Sequence, residues 1–173
     1  MRTLLTFTGF HDPYAMGLIA DEEQPGPILS LINARQFERV VLFSTARVET
    51  NSRGTLDAIR ELHPSIKVEV RDLSLEDPTD YAAILDELRT HYHQLIEEEA
   101  CSECFIAVTS GTPQMHACWL MLAASGEIPA HILNVRPPRF VTSEKPLVDD
   151  VDLTEPWMPE VRAMATRTVS LAL

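Results

Sequence analysis

Short apolar segments alternate with segments of helical periodicity along most of this chain. Branched and aromatic residues dominate the apolar segments, as is typical of strands. Five strands are predicted, at TLLTFTGF, RVVLFST, IKVEVRDL, CFIAVTS and AHILNV, and PLVDDVDL predicts a short sixth. This alternation predicts an α/β fold: a Rossmann-like, mostly parallel sheet of five or six strands with helices on both faces.

The segments that follow the strands predict helices. Asn51 or Ser52 is expected to cap the second helix, GTLDAIRELH, and Pro64 to end it. Asp77 to Asp80 form the start signal of the third helix. The apolar stripe of that helix is predicted at Tyr81, Ile84, Leu85, Leu88, Tyr92, Leu95 and Ile96. The remaining predicted helices are PILSLINARQF, PQMHACWLMLAASG and a terminal PWMPEVRAMATRTV.

The charge of the chain is strongly acidic but unevenly distributed. Its 173 residues carry a formal net charge of −12 at pH 7, which excludes a general binder of duplex nucleic acid. From Phe105 to Ser143, however, the only acidic residue is Glu127, and the same stretch contains Arg136 and Arg139. A locally basic region on an acidic protein favours a small, specific anion as the ligand.

The sequence predicts a cytoplasmic protein without membrane contacts. No apolar stretch is long enough to span a membrane, and the N-terminal MRTLLTFTGF is too short and too quickly polar for a signal peptide. Three cysteines, an odd number, suit a reducing compartment. Cys101 and Cys104 form a lone CxxC without the further ligands that zinc requires. We therefore predict no metal and no cofactor.

Four loops follow predicted strands at their carboxyl ends, where open parallel sheets bind ligands. They are Thr8 to Asp12, Ser44 to Arg47 together with Asn51, Thr109 to Thr112, and Arg136 to Arg139. Three of these loops offer hydroxyl groups, glycine backbone or guanidinium groups. Such donors suit a phosphodiester.

The third of these loops lies directly between a predicted strand and a predicted helix. Gly111 is expected to let the backbone approach a ligand, while Thr109, Ser110 and Thr112 donate hydrogen bonds to it. The same residues are equally typical of a helix N-cap without a ligand. For His11, too, a ligand contact and an incidental position remain open.

An ordered set of segments resembles a known family. TFTGFHDPY, GPILSLI, VLFST, DPTDYAAIL and VTSGTPQMHACWLMLAASGEIPAHILNVRPPRF are together similar to a CARF domain, the CRISPR-associated Rossmann fold. The similarity is strongest to the N-terminal CARF domains of RNA-repair operon regulators and of CARF-fused deaminase effectors. It covers residues 1–153, and residues 154–173 are then a C-terminal helix or a linker to a missing effector domain.

The resemblance implies a homodimer that binds cyclic oligoadenylate, a second messenger of type III CRISPR antiviral signalling, over the carboxyl ends of the strands. In the family, the loop after the first strand and the turn after the fourth contact the ring. With the strand-end inventory, the candidate ligand-binding residues are Thr8, Gly9, Phe10, His11, Thr45, Arg47, Thr109, Ser110, Gly111, Thr112, Arg136 and Arg139.

Three functions follow as alternatives. The first is a sensor of cyclic tetra- or hexa-adenylate that regulates an attached effector allosterically. The second is a standalone, metal-independent ring nuclease, in which a ribose 2′-hydroxyl attacks the adjacent phosphate and His11 and Lys145 are the candidate catalytic residues. The third is an unrelated Rossmann-like protein that uses a nucleotide or a sugar phosphate.

Overall fold

The computed structural model describes residues 1–16, 22–99 and 101–156. Two short 3-10 turns, at Ala46–Val48 and Pro138–Phe140, accompany the strands and helices. The elements are β1 (Arg2–Phe7), β2 (Tyr14–Met16), β3 (Glu23–Pro25), α1 (Pro27–Ala34), β4 (Arg39–Ser44), α2 (Glu49–Leu62), β5 (Lys67–Asp72), α3 (Tyr81–Glu98), β6 (Glu103–Ala107), α4 (Pro113–Ala124), β7 (His131–Val135) and β8 (Val148–Val151).

The main sheet has six strands in the order β5-β4-β1-β6-β7-β8. All neighbouring pairs are parallel except β7 and β8, which run antiparallel. The predicted α/β fold and the short sixth strand are thus confirmed. The chain passes from β1 outward to β4 and β5, and then returns to β6 on the other side of β1. The carboxyl ends of β1 and β6 therefore form the topological switch point of the sheet.

Apolar side chains of the central strands alternate between the two faces of the sheet, and each face has its own core. On one face, Leu4 of β1 packs in a cluster with residues of α1 and α2. On the other, Leu5 and Phe7 pack with residues of α3 and α4, including the fully buried Trp119. The strands buried on both faces hold the loops at their carboxyl ends on a rigid base.

The predicted start of the second helix is wrong, while its end is confirmed. Helix α2 begins at Glu49 because the 3-10 turn at Ala46–Val48 leads directly into it, and it ends just before Pro64. Ser52 lies inside the helix, where its buried hydroxyl donates to the hydroxyl of Ser44 at 2.8 Å. Asn51 contacts the loop after β1 instead of capping the helix.

The start signal of α3 is confirmed. The carboxylate of Asp80 accepts hydrogen bonds from the backbone N–H groups of Ala82 and Ala83, at 2.9 and 3.2 Å. The predicted apolar stripe is too wide, because Tyr81 and Ile96 are 48% and 40% exposed. Both lie in a terminal turn of the helix, where fewer neighbours cover a side chain.

The predicted terminal helix falls almost wholly on residues 157–173 and so lies outside the described residues. Among the helices that the structure describes, none combines the length and the apolar character needed to cross a membrane.

Candidate functional site

A cavity of about 330 Å³ opens at the topological switch point, between the loops that follow β1 and β6. The loop after β4 and the segment before α3 complete its wall. This volume lies at the low end of the range of small-ligand pockets, roughly 300–1,000 Å³. Ten of the twelve candidate ligand-binding residues line it, namely Thr8, Gly9, Phe10, His11, Thr45, Arg47, Thr109, Ser110, Gly111 and Thr112.

The buried carboxylate of Asp12 holds three segments of this site together. One of its oxygens accepts hydrogen bonds from the backbone N–H of Gly9, at 3.0 Å, and from the hydroxyl of Ser110, at 2.7 Å. The other accepts from the N–H of Ile28 in the first turn of α1, at 3.0 Å. Burial raises the pKa of Asp12 above its ordinary value, and these hydrogen bonds oppose the rise.

The loop after β1 is also held from α2. The side-chain amide of Asn51 donates to the carbonyl oxygen of Asp12 at 2.7 Å. Gly26, directly before α1, packs against the backbone of this loop. A Cβ at this position would lie only 2.0 Å from the carbonyl oxygen of His11. Sequence analysis placed Asp12 and Asn51 in strand-end loops, but their role as connectors depends on contacts between distant segments.

The hydroxyl groups of the turn after β6 have partners within the protein. Thr109 accepts from the N–H of Val135 at 2.8 Å, and Thr112 caps α4 by accepting from the N–H of Met115 at 3.2 Å. Thr112 also donates to the carbonyl oxygen of Pro78 at 3.0 Å. With Ser110 bonded to Asp12, all three candidate hydroxyls have partners within the protein and help to fix the turn.

Gly111 is required by the backbone conformation of this turn. Its φ of +107° lies in a region that residues other than glycine rarely adopt. A Cβ at this position would also lie only 3.0 Å from the Cβ of Phe7. Half-buried His116, in α4, bonds through its ring to the carbonyl oxygen of Ser110 at 2.9 Å. The turn is thus rigid before any ligand binds.

The loop after β1 and the turn after β6 offer backbone N–H groups to a ligand. Among the described residues, no protein acceptor pairs with the N–H groups of Phe10, His11, Ser110 and Gly111. The hydroxyl of Thr8 is buried and likewise has no hydrogen-bond partner in the described part of the chain. Clustered N–H groups near a helix N-terminus are a favourable environment for an anion.

Apolar residues that the sequence analysis did not single out form much of the remaining wall. They come from segments far apart in sequence, and no motif marks them as a group. They are Pro27, Val48, Pro78 and Met115. The exposed ring of Phe10, at 70% exposure, stands at the opening. A cavity with polar backbone donors and apolar walls suits a ligand that is both charged and aromatic.

Arg47, in the loop after β4, brings a cationic group to the cavity. Arg47 is exposed, and within the described ranges no carboxylate lies within 4 Å of its guanidinium group. It still helps to lower the pKa of Asp77, after the stronger effect of hydrogen bonds from Thr79. His11 is exposed at the same cavity. Arg47 and His11 are therefore free to approach an anion.

The basic segment after β7 does not line this cavity. Arg136 donates to the carboxylate of Asp149 in β8 at 2.6 Å, and the guanidinium group of Arg139 stacks over the ring of Phe140 at 4.7 Å. Exposed Lys145, in the β7–β8 loop, forms a backbone turn with Thr142. The structure therefore separates these three residues from the other candidates. In the described ranges, no cluster of His, Cys, Asp and Glu side chains suits a metal ion.

Comparisons with known proteins support this architecture. The fold is shared with Csm6 from Enterococcus italicus bound to cyclic hexa-2′-fluoro-hexa-dAMP, at a TM-score of 0.68 and 22% sequence identity, over 83% of this chain and 35% of that chain. It is also shared with Can2 from Sulfobacillus thermosulfidooxidans in complex with cyclic tetra-adenylate, at a TM-score of 0.54 and 13% identity, over 79% of this chain and 32% of that chain. The chain thus spans about a third of the length of either protein.

A comparison with curated proteins gives no match. The family model described as "Regulator of RNA terminal phosphate cyclase", RtcR, matches residues 21–165. This match and the shared fold support the CARF domain that the sequence resembles. Since the match covers most of the 173 residues, the chain belongs to the RtcR family, the regulators of RNA terminal phosphate cyclase.

Proposed function

We propose that this chain is the sensor domain of a type III CRISPR-linked regulator and that it binds a cyclic oligoadenylate in the cavity between β1 and β6. The observation that carries the proposal is the set of unpaired N–H groups from Phe10, His11, Ser110 and Gly111 around one cavity at the switch point. The proposal is also supported by the two solved structures that share the fold, since both are complexes with cyclic oligoadenylates.

The chemistry of the cavity suits one nucleotide unit of such a ring. Backbone N–H groups and the Thr8 hydroxyl are donors for phosphate oxygens, and Arg47 supplies a charge-assisted contact. The apolar wall formed by Val48, Pro78 and Met115 suits the face of an adenine base. Asp12 is buried and does not line the cavity, and its carboxylate accepts hydrogen bonds from three protein donors.

The size of the cavity also supports a homodimer. About 330 Å³ is too small for a ring of four or six nucleotides, so most of the ring would lie outside this one cavity. A second copy related by a two-fold axis would supply a second cavity and match the symmetry of an even-membered ring. We expect a homodimer before ligand is added and saturation at one ring per two chains.

Binding is tested by titrating the purified chain with cyclic tetra-adenylate and cyclic hexa-adenylate in a calorimeter, with sedimentation to count the chains in each complex. Saturable binding of either ring at one ring per two chains would support the proposal. A monomer that binds one ring per chain, or the absence of binding to both rings, would contradict it. A linear oligoadenylate of equal length is the matched control for recognition of the ring.

The ring nuclease is the second candidate, because exposed His11 lies at the same cavity as Arg47. In this second proposal His11 would act as a base on a ribose 2′-hydroxyl, while Arg47 and the N–H groups would contact the phosphate. Lys145, which lies outside the cavity, is the weaker candidate. Incubation with labelled rings without metal separates the functions: intact ring is expected from a sensor, and products with a 2′,3′-cyclic phosphate from a nuclease.

Control of an attached effector belongs to the same proposal. Residues 154–173 are proposed to connect the domain, residues 1–153, to an effector, and the kinship to CARF-fused deaminase effectors stays a prediction. We further propose that the protein acts in the cytoplasm, where such a messenger would be made. When an effector domain is fused after residue 173, we expect its activity to rise on addition of the ring.

A further inference from the structure

The outer side of helix α4 is apolar, whereas a helix on a protein surface usually has polar residues on its outer side. The residues of α4 that are buried against the sheet are Met115, Cys118, Trp119 and Leu122. At 3.6 residues per turn, the opposite side of the helix carries Pro113, Ala117, Leu120, Met121 and Ala124. We call these five residues the α4 stripe. Met121 is 45% exposed, Pro113 is exposed, and the other three are half-buried.

The other helices in the described ranges have polar residues on their outer sides. In α2 the exposed residues include Arg53 and Asp57, and in α3 they include Asp86 and Glu97. In the shorter helix α1, Asn33 is exposed. A helix that is apolar on all sides is typically covered on all sides. The α4 stripe therefore has the composition of a contact surface.

The distribution of charge favours a second copy of this chain as the partner of the stripe. Residues 105–126 contain no Asp, Glu, Lys or Arg, although the whole chain carries a formal net charge of −12. Two copies of such an acidic chain repel each other wherever their acidic segments approach. Because the stripe is uncharged, two copies can meet there at the smallest electrostatic cost. The next charged residue along the chain, Glu127, already forms an ion pair with Arg89 of α3.

The α4 stripe begins at the opening of the cavity. Thr112, which caps α4, and Met115 in the first turn of the helix both line the cavity, and Pro113 of the stripe directly follows Thr112. If two α4 helices lie side by side with their N-termini at the same end, the two cavities also lie at that end, on either side of a two-fold axis. The choice of a second copy rests on the proposed function, because a ring that is larger than one cavity needs donors from a second one.

We propose that the α4 stripe is a homodimer interface, in which the α4 helices of two copies pack side by side about a two-fold axis with both cavities at the same end. The small side chains of Ala117 and Ala124 leave room for the larger Leu120 and Met121 of the second copy. Packing removes the apolar stripe of both copies from water. A ring that contacts both cavities stabilises the same dimer, because it binds the two copies together.

The first experiment measures the dimer dissociation constant of the full 173-residue chain by sedimentation equilibrium. Met121→Glu and Ala117→Glu each place a carboxylate on the stripe of both copies. The parent chain should be a dimer, and each variant should have a dissociation constant at least about 100-fold higher, because like charges that meet across an interface are strongly unfavourable. Leu62→Glu is the matched control: Leu62 is 52% exposed at the end of α2, so its dissociation constant should change by less than about threefold. Circular dichroism checks that each variant is folded.

Chemical cross-linking tests the location of the interface. Met121→Cys and Leu62→Cys are each introduced into a chain that carries Cys101→Ser, because Cys101 is only half-buried whereas Cys104 and Cys118 are buried. A bismaleimide with a spacer of about 10 Å, similar to the distance between the axes of packed helices, should link the Met121→Cys chains in pairs. The Leu62→Cys chains should remain single.

A monomeric parent chain, or a dimer that survives both glutamate substitutions, would overturn the proposed interface. A monomer in which the Met121→Cys thiol does not react with maleimide would indicate that another segment of the same chain covers the stripe. Titration with cyclic tetra- and hexa-adenylate separates the interface from the proposed function. A dimer that the glutamates dissociate but that binds neither ring would retain the interface and contradict the sensor. A dimer that binds a ring and survives the glutamates would retain the sensor and contradict the interface.

Discussion

Two regions at the carboxyl end of the sheet have sequences that predict ligand contacts, and their side chains make different contacts in the structure. At the switch point, Asp12 accepts hydrogen bonds from Gly9 and Ser110, and residues that line a cavity have backbone N–H groups without an acceptor among the described residues. Beyond β7, Arg136 bonds to Asp149 of the antiparallel strand β8 and lies away from the cavity. The first region has backbone N–H donors without acceptors among the described residues. The second has a guanidinium group that already forms an ion pair with a carboxylate.

The difference teaches that residue type alone does not identify a ligand contact. Ser110 and Thr112 have the chemistry of ligand donors, but their hydroxyls stabilise the turn. Arg136 has the chemistry of a phosphate contact, but it stabilises the pairing of two strands. Rigid loops with unpaired backbone donors fit the electrostatic preorganisation that anion binding needs.

The largest effect is expected for Asp12→Ala. The change leaves the N–H groups of Gly9 and Ile28 and the hydroxyl of Ser110 without their acceptor. Since each unsatisfied buried group costs about 1–3 kcal/mol and water can partly replace the acceptor, we expect a loss of about 3 kcal/mol in the free energy of unfolding. Urea denaturation measures it. Asp149→Ala, which removes the acceptor of half-exposed Arg136, should cost less than about 1 kcal/mol.

A smaller decrease in the free energy of unfolding is expected for Gly111→Ala. A side chain at a φ of +107°, 3.0 Å from the Cβ of Phe7, should destabilise the protein by about 2 kcal/mol, and the larger Gly111→Val by more. Gly126→Ala is the control, because its φ is +75° but its Cβ would meet no atom within 4 Å, so that about 1 kcal/mol is expected. Equal losses at both glycines would show that the contact with Phe7 is unimportant.

Alanine substitutions of three arginines compare the two regions directly. Arg47→Ala should lower the affinity for cyclic oligoadenylate about tenfold, because it removes a charge-assisted contact at the cavity. Arg136→Ala and Arg139→Ala should each change the affinity by less than about threefold, since both side chains lie outside the cavity. Calorimetric titration measures all three. A larger loss of affinity in the Arg136 or Arg139 variant than in the Arg47 variant would indicate that the ligand binds at the segment after β7.

Thr8→Val tests the unpaired hydroxyl at the floor of the cavity. Removing a buried hydroxyl without a partner should leave the free energy of unfolding unchanged or raise it by up to about 1 kcal/mol, while the affinity for the ring falls about fivefold. Thr3→Val is the matched control, because Thr3 is another buried threonine, unpaired among the described residues, in β1 at the end of the sheet opposite Thr8. Loss of affinity in the Thr3 variant would indicate a general change of the fold.

The smallest effect concerns pH. Because burial raises the pKa of Asp12 in the folded protein, the folded state binds more protons than the unfolded state at pH values just above 3.8, the ordinary pKa of an aspartate. The contribution of this carboxyl to stability therefore falls as the pH rises through that window. The measurement is the free energy of unfolding as a function of pH, for the parent chain and for Asp12→Asn. The difference between the two profiles separates the contribution of Asp12 from that of carboxylates such as Glu98, whose pKa is lowered by Arg71. A difference profile of the opposite slope would contradict the role of burial.

Local pattern determined much of the fold. Apolar runs predict the central strands β1, β4 and β6 because a strand buried on both faces must be apolar throughout. Asp80 and Gly126 mark helix ends by conformational preferences that act within a few residues. The ten cavity residues were found for the same kind of reason, since the ends of parallel strands meet at one edge of a sheet.

Tertiary structure decided what these residues do. Asp12 meets Ser110 across a sequence separation of 98 residues, and no local preference of either residue indicates the pair. Arg136 finds Asp149 only because β8 returns antiparallel beside β7. Local preferences thus placed the loops at one edge of the sheet, whereas contacts between distant segments determined which donors are used within the protein and which are left for a ligand.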